Sequence, residues 1–567
     1  MKVDQAVNLA EVTAQPDRER GEQNTLPNST GQSSKDDFGS DDLPALPQAS
    51  SVAANQDASA EDIHSGVRQA EAITQTWSKS SLRTIYLFLW LTYAVNAFQS
   101  SITGNLTAYV TSGFAEHSLI PVISIVSNVM SAVAYMVLAQ ILNLWDRSYG
   151  YLAMTVFYSI GFSGMIFAVD VLTADTSRLK DRGLEYAFTA SPWIITAYAG
   201  PAISERFYDS NWRWAFGAFA IILPFVGIPM FVFLQHQKRR ATESRNLKAN
   251  SNTRRTWMAA TIHYLVEFDV VGIVLICAGM ILFLLPFSIA TSTADSWRSA
   301  SIIAMLVIGV ACLVGFVVFE RYFSPRPFIP YHLLVSRTVL GACMLKFTWQ
   351  IAYYCWASYF TSYLQVVYDL SISEAGYIAS IYDVVASVWL FPVGYLIRWT
   401  GYFKWVVLLG VPLYTLGEGL MIYFRKPGDS VGWIVFTQIL IALGGAAFTL
   451  VEQVAVLAAG SHNDSASILA LLGLFGYFGG AVGNSVSGAI WTNTLPTYQQ
   501  ELLPSDTVDD WEDIYNSLDV QLSYPIGDPT RTAISLAYAE AQSRMLIAGT
   551  AIMARSSRTS RCRRSSK

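Results

Sequence analysis

From residue 82 onward the chain is a succession of apolar runs, each about as long as a membrane is thick, separated by short polar breaks. A helix needs about 20 apolar residues to cross the roughly 30 Å hydrocarbon layer, and within lipid only helices and closed barrels satisfy their own backbone. On that rule spans are expected at 84–102, 119–142, 151–174, 188–203 and 214–234 in the first half. In the second half they are expected at 268–290, 302–319, 340–367, 377–397, 405–424, 433–459 and 468–491. A last run, 545–554, covers about 15 Å at the helical rise and is too short to cross alone. Charged residues make up 14% of the 567 residues, against about 25% in a soluble domain. The fold class expected is therefore an all-α polytopic membrane protein in the lipid bilayer.

Several function classes fall away on residue usage. The net charge is −5 with no extended basic face in the body, so nucleic acid is not an expected partner. Cys277, Cys312, Cys343 and Cys355 lie in apolar runs, Cys562 lies in the tail, and no C-x-x-C pair occurs. The six histidines lack metal-ligand spacing, and there is no G-x-x-x-x-G-K-[ST] loop. Neither a metalloenzyme nor an ATP-driven pump is indicated, and no cofactor or metal is expected.

Charge along the chain orients it. Residues 1–80 are polar and acid-rich and read as a disordered cytosolic tail. Residues 236–255 hold seven Lys or Arg against the single acid Glu243, which places this loop in the cytosol by the positive-inside rule. The domains expected are an N-terminal bundle (81–235), a basic cytosolic linker (236–267), an extra helix pair (268–320) and a C-terminal bundle (321–491). An extracellular loop (492–544) and a truncated last helix with a basic tail (545–567) follow. The first half does not close, however. From a cytosolic N-terminus, five spans would leave the basic cluster outside, and one step earlier Arg178, Lys180 and Arg182 would be outside as well. The fault lies after Arg147 and before Arg178, where the only apolar run is 151–174.

Local sequences then resemble the major facilitator superfamily, and within it the fungal siderophore iron transporter family of fourteen-span proton symporters. They are 101–118 (SITGNLTAYVTSGFAEHS), 157–182 (FYSIGFSGMIFAVDVLTADTSRLKDR), Ser191-Pro192 with Gly200-Pro201, and 211–224 (NWRWAFGAFAIILP). In the second half they are 355–368 (CWASYFTSYLQVVY), 452–459 (EQVAVLAA) and 472–496, ending in AIWTNTLP. The resemblance implies a facilitator fold of two helical bundles plus an extra helix pair. Against it, one N-terminal span is incomplete: Met154-Thr155-Val156 runs directly into Phe157-Tyr158, where relatives carry roughly thirty more residues. The apolar last helix also gives way to Arg and Ser after Met553.

The inner-loop signature of the superfamily maps to Ala139, Ile141, Asn143, Asp146 and Arg147, with Asn143 where the family has an acid. Asn143, Asp146 and Arg147 are accordingly gating candidates, together with Gly200 and Pro201, where proline removes a backbone donor and bends its helix. An ionisable group inside a span is functional by default, so Asp170, Glu452, Asp383 and Glu418 are proton-coupling candidates. Lys346 is expected to snorkel to the inner interface. A ferric hydroxamate hides its iron in a nearly neutral shell, so its pocket should offer flat apolar faces and hydroxyl donors. Tyr354, Trp356, Tyr359 and Tyr363 are substrate candidates on that ground, and Tyr498, Trp511 and Tyr515 are candidates in the outer loop.

What the resemblance implies is proton-coupled import of a ferric siderophore, with protons and the siderophore as partners and a monomer as the working unit. The plasma membrane is the first expectation for its location, and an endosomal or vacuolar membrane the second. The rival readings are a drug/proton antiporter or thiol-peptide exchanger on the same scaffold, or a non-transporting sensor or mis-spliced product.

Overall fold

A computed structural model describes residues 77–113, 116–144, 149–152, 164–245, 263–293, 295–325, 327–460 and 464–562. In its N-terminal part α1 (Lys79–Ser112), α2 (Ile120–Leu144), α3 (Gly164–Thr176), α4 (Arg182–Ala190), α5 (Pro192–Ser210) and α6 (Arg213–Arg245) form one bundle. The extra pair is α7 (Val270–Leu284) and α8 (Ala300–Tyr322). The C-terminal bundle starts with α9 (Arg337–Ala357) and α10 (Phe360–Tyr368), then α11 (Ile372–Ala379) and α12 (Ile381–Thr400). It continues through α13 (Lys404–Phe424), α14 (Val431–Ala459), α15 (Ser465–Leu502), the short α16 (Trp511–Asn516) and α17 (Leu518–Ser523), and α18 (Pro529–Cys562).

Eight helices among the described residues are long and apolar enough to cross a membrane on composition alone. Two helices of equal length, α1 and α18, fall short of that measure because their polar residues are turned inward. Thr92, Asn96 and Asn105 of α1 and Arg531 and Gln542 of α18 are all buried in helix contacts. The α7–α8 pair is the opposite case. Gly279 faces Leu313 and Gly309 faces the Phe283 backbone, while Val307, Val314 and Val317 stand exposed, as suits a face turned to lipid.

Helix α15 is the spine between the halves, because its glycines admit neighbours on two sides. A Cβ on Gly479 or Gly483 would strike the backbone carbonyls of Phe347 and Ile351 on α9, and one on Gly473 would strike the Tyr135 ring of α2. Close approach through small residues is how helices pack where lipid removes the hydrophobic drive.

The geometry of the first half explains its topology. Gln237 Nε2, near the end of α6, donates to Ser81 Oγ at the start of α1 at 3.0 Å, and Lys238 Nζ sits 5.7 Å above the Tyr149 ring. Tyr86, in the second turn of α1, bonds to Thr176 at the end of α3 and donates to Glu185 at the start of α4. The start of α1, residue 149, the α3–α4 turn and the end of α6 therefore share one end of the molecule. Residues 149 and 176 thus lie at the same end, which a single span at 151–174, as expected, does not produce. Helix α3 has 13 residues, about 20 Å of the roughly 30 Å needed to cross. The junction between Val156 and Phe157 lies outside the described residues.

Two further boundaries differ from the hydropathy reading. Helix α15 continues past residue 491 to Leu502, and α18 begins at Pro529 where a short run from residue 545 was expected. The stretch between them is thereby reduced to residues 503–528. Ala533, Ile534, Ala537, Tyr538, Ala541 and Met545 recur at helical spacing on the buried face of α18. Such amphipathic sequence folds as a helix without forming a continuous apolar run.

Candidate functional site

A cavity of about 310 Å³ lies between the two bundles. On the N-terminal side its walls include Tyr93 of α1, Tyr135 of α2, Asp170 of α3 and Tyr186 of α4; on the C-terminal side they include Lys346, Gln350 and Tyr354 of α9, Gln453 of α14 and Tyr477 of α15. Tyr477 donates across the seam to Tyr135 at 3.4 Å, and the rings lie 5.1 Å apart. The lining thus combines hydroxyl-bearing rings with two amides, one acid and one base.

The charges are arranged asymmetrically. Lys346 Nζ is 4.0 Å from Glu452 Oε2 and 4.5 Å above the Trp349 ring. Trp349 Nε1 donates to the same carboxylate oxygen at 3.3 Å, while Glu452 Oε1 is buried with no hydrogen-bond partner among the described residues. Lys346 does not snorkel to the interface, as expected from its place in the run, but turns inward. The reason is the buried Glu452 carboxylate, 1% exposed, whose charge is tolerable only with a partner. Asp170 stands on the facing wall, contributed by the other bundle.

The other two acids are elsewhere. Glu418 of α13 is fully buried inside the C-terminal bundle, accepting from Trp356 Nε1 at 3.4 Å. Asp383 lies in the first turn of α12, where it is not part of the cavity wall.

Of the aromatic candidates on α9 and α10 only Tyr354 lines the cavity. Trp356 is buried beneath Arg425. Tyr359 stacks on Trp491 at 3.7 Å with 6° between planes and donates to the Ser118 carbonyl at 2.6 Å. Tyr363 packs against Arg425, 5.1 Å from its ring centre. Beyond the cavity, Tyr498 accepts from Arg544 Nη2 at 3.0 Å, and Trp511 and Tyr515 pack beside each other at 6.3 Å.

Both ends of the interface between bundles are bridged. At the end carrying the start of α1, Asn143 Nδ2 donates to Ser467 Oγ at 3.0 Å and Asp181 pairs with Arg398 at 3.1 Å. Gly183 and Gly394 also meet backbone to backbone there. Asp146 and Arg147 lie outside the described residues. At the opposite end Tyr109 donates to Gln365, and Tyr208 donates to Asp519 Oδ1 at 3.1 Å. Pro201 and Asn105 press on Gly376, where no Cβ would fit, and Gly200 admits Ser101 of α1 equally closely. Gly200 and Pro201 are therefore contact points, one within its bundle and one between bundles.

Sequence reasoning missed Tyr93, Tyr135, Tyr186, Gln350 and Tyr477. A usable signal existed, since Tyr93, Tyr135 and Tyr477 lie well inside apolar runs, away from the interfaces where tyrosine normally collects. Among the described residues no cluster of His, Cys, Asp and Glu could hold a metal ion.

Comparison with known proteins adds the following. Residues 85–411 match the family model described as Fungal trichothecene efflux pump (TRI12). The chain is 59% identical over 517 residues to the MFS siderochrome iron transporter D of Aspergillus fumigatus, covering 87% of this chain and 86% of that one. It is 44% identical over 516 residues to the siderophore iron transporter mirB of Emericella nidulans, covering 87% and 85%. To the MFS siderochrome iron transporter 1 of Ajellomyces capsulatus it is 41% identical over 534 residues, covering 90% of each. In the first of these alignments, 87% of 567 residues is about 493, so roughly two dozen of the 517 aligned positions have no residue in this chain.

Proposed function

The chain belongs to the MFS siderochrome iron transporter family, a family of multi-pass membrane transporters and not of enzymes, and on that premise we propose that it imports ferric siderophore together with protons. The observation that carries this reading is the cavity. Tyrosine hydroxyls from both bundles surround a space with one acid, Asp170, on one wall and Lys346 on the other, backed behind that wall by its partner Glu452. Hydroxyls and ring faces suit a nearly neutral ferric hydroxamate, and the acids suit a proton that accompanies it. A proton moving inward down 100 mV releases about 2.3 kcal/mol, which can drive accumulation as the two bundles rock about the site.

The cavity, about 310 Å³, is at the lower limit of the roughly 300–1,000 Å³ usual for small-molecule sites, so extra room for a bulky ferric complex comes from parting of the bundles. The bridges at the two ends are the contacts that must break in turn. We place the protein in the plasma membrane, with the end carrying residues 236–245 in the cytosol.

The test is uptake of ⁵⁵Fe-labelled ferric trihydroxamates by a yeast strain that makes no siderophore and lacks its own carriers. Uptake that requires this chain and is abolished by a protonophore supports the reading. Efflux is the second reading, favoured by the description of the family model over residues 85–411. Loss of preloaded substrate on expression, without uptake, would favour it. Neither movement would favour a protein that binds without transporting.

A further inference from the structure

Besides the central cavity, the C-terminal bundle encloses a second set of buried polar groups, and these form a ladder. On α9, Trp349, Tyr353 and Trp356 follow one another at helical spacing along one face. The lower tryptophan donates to Glu452 at 3.3 Å and the upper one to Glu418 at 3.4 Å. Seven residues of α9 separate the two tryptophans, about 10 Å of rise. Tyr353 stands between them, its ring 5.4 Å from Trp356 and 5.6 Å from Tyr382 of α12.

The rung on the facing helices is equally regular. Tyr414 and Glu418 are four residues apart on α13. On α14, Gln438, Gly445 and Glu452 are spaced by seven, which keeps them on one side of that helix. Gly445 leaves room for the Tyr382 hydroxyl, since a Cβ there would collide with it.

These groups are not satisfied by one another. Glu418 Oε2, Tyr414 OH, both amide atoms of Gln438 and Glu452 Oε1 are buried without a hydrogen-bond partner among the described residues. Buried polar atoms left open in this way are the normal seats of internal water. At the top, Arg425 is 2% exposed. It donates to Gln542 Oε1 at 2.8 Å, lies 4.3 Å from the Phe360 ring and 5.1 Å from Trp356, and leaves Nε and Nη2 open.

We propose that this ladder is a proton path within the C-terminal bundle, in which Glu418 receives protons from the outer end and passes them through water and the tyrosine hydroxyls to Glu452, which pairs with Lys346 of the cavity wall. The inference rests on the proton-coupled reading above. The step balances without any redox change. The Glu418 carboxylic acid gives its proton to an adjacent water or hydroxyl, each link takes one proton and releases another, and the last O–H bond forms on the Glu452 carboxylate. Three or four links of about 2.8 Å span a length equal to the rise between the two tryptophans.

Charged and titratable groups facing Glu418 come from each neighbour. They are Cys355 on α9, Tyr382 on α12 and Tyr414 on its own helix, while Arg425 is linked to it through the shared Trp356. Trp356 touches both Glu418 and Arg425.

The test compares net uptake with exchange in cells expressing the full chain. The probe is a ⁵⁵Fe-labelled ferric trihydroxamate carried by the wild type, chosen from ferrichrome, coprogen and ferrioxamine B. Exchange is read as ⁵⁵Fe gained by cells preloaded with the unlabelled complex, a half-reaction that needs no net proton movement. Glu418→Gln should lower net uptake about a hundredfold and flatten its dependence on external pH, while exchange and surface expression stay near wild type. Tyr353→Phe, which removes only one hydroxyl, should show the same split in weaker form. Parallel loss of uptake and exchange in both variants, or unchanged net uptake in Glu418→Gln, would overturn the path and leave the transport reading standing. Wild-type uptake indifferent to a protonophore, or no carriage of any probe, would instead overturn the proton-coupled reading together with the path.

Discussion

Replacing Lys346 by Met should destabilise the protein more than replacing Lys346 and Glu452 together. Lys346 Nζ lies 4.0 Å from a carboxylate that is 1% exposed. At that separation an effective dielectric near 20 gives an attraction of about 4 kcal/mol. Removing one member of a buried pair typically costs about 3–5 kcal/mol, because the other charge is stranded. Lys346 retains 17% side-chain exposure, so the lower end of that range applies. Loss of its contact with Trp349, 4.5 Å away, adds about 0.5–1 kcal/mol. In Lys346→Met combined with Glu452→Gln no charge is left unpaired, and the loss should fall to about 1–2 kcal/mol. The assay is thermal unfolding of the purified protein in one detergent at fixed pH and salt, with both single variants and the double variant forming a cycle. The midpoint should drop most for Lys346→Met and partly recover in the double variant. Equal drops in Lys346→Met and the double variant would refute the reasoning, since they would show that the pair contributes only packing.

Asp170→Asn and Glu452→Gln each keep shape and remove a titrating group, and both should reduce proton-coupled uptake at normal surface expression; unchanged uptake with unchanged pH dependence would remove them from the mechanism. Gly394→Leu should hold the inner end apart, because even a Cβ there would sit 3.0 Å from the Gly183 backbone. Net uptake should be lost and a cysteine placed at Asp181 should react faster with a cytosolic thiol reagent, whereas wild-type uptake would show that this contact need not close. An epitope tag in residues 503–510 should stain on intact cells and one in 246–255 only after permeabilisation, with the reverse pattern refuting the orientation. The Asn105-Leu106-Thr107 sequon should carry no glycan, since Asn105 is 7% exposed within α1, and a mobility shift with a glycosidase would contradict that placement. Finally, the native messenger RNA should encode about twenty-five to thirty-five further residues between Val156 and Phe157, enough for two helices of spanning length; continuous reads through that junction from a transporting protein would dispose of the idea.

Much of the fold was legible because lipid makes hydropathy and loop charge nearly sufficient guides. The two basic clusters that five spans would leave outside pointed to residues 151–174, and the contacts of Tyr149 with Lys238 and of Thr176 with Tyr86, joined by Gln237 to Ser81, place that segment's two ends together. Hydropathy failed where a helix hides its polar residues inside the protein. Helix α18 was shortened to a fragment because Arg531, Ser535 and Gln542 interrupt its apolar residues, although all three are buried against neighbouring helices. The site was legible in part. A charge in a span could be noticed from sequence, but where it points depends on partners far away in the chain. Lys346 illustrates this: Glu452, 106 residues on, turns it inward. The aromatic cluster at 353–363 shows the same limit, because only two to nine residues separate Tyr354 at the cavity from Trp356, Tyr359 and Tyr363 in the packed interior.

The most direct test of proton-coupled siderophore import is made with the purified chain in sealed vesicles that hold a pH-sensitive dye and start with equal pH on both sides. Adding a ⁵⁵Fe-labelled ferric trihydroxamate outside, with the lumen held electrically negative, should produce iron accumulation and lumenal acidification with the same time course. Both should disappear in Asp170→Asn. Accumulation of ⁵⁵Fe without acidification, or a lumen that turns alkaline as the complex moves, would contradict symport.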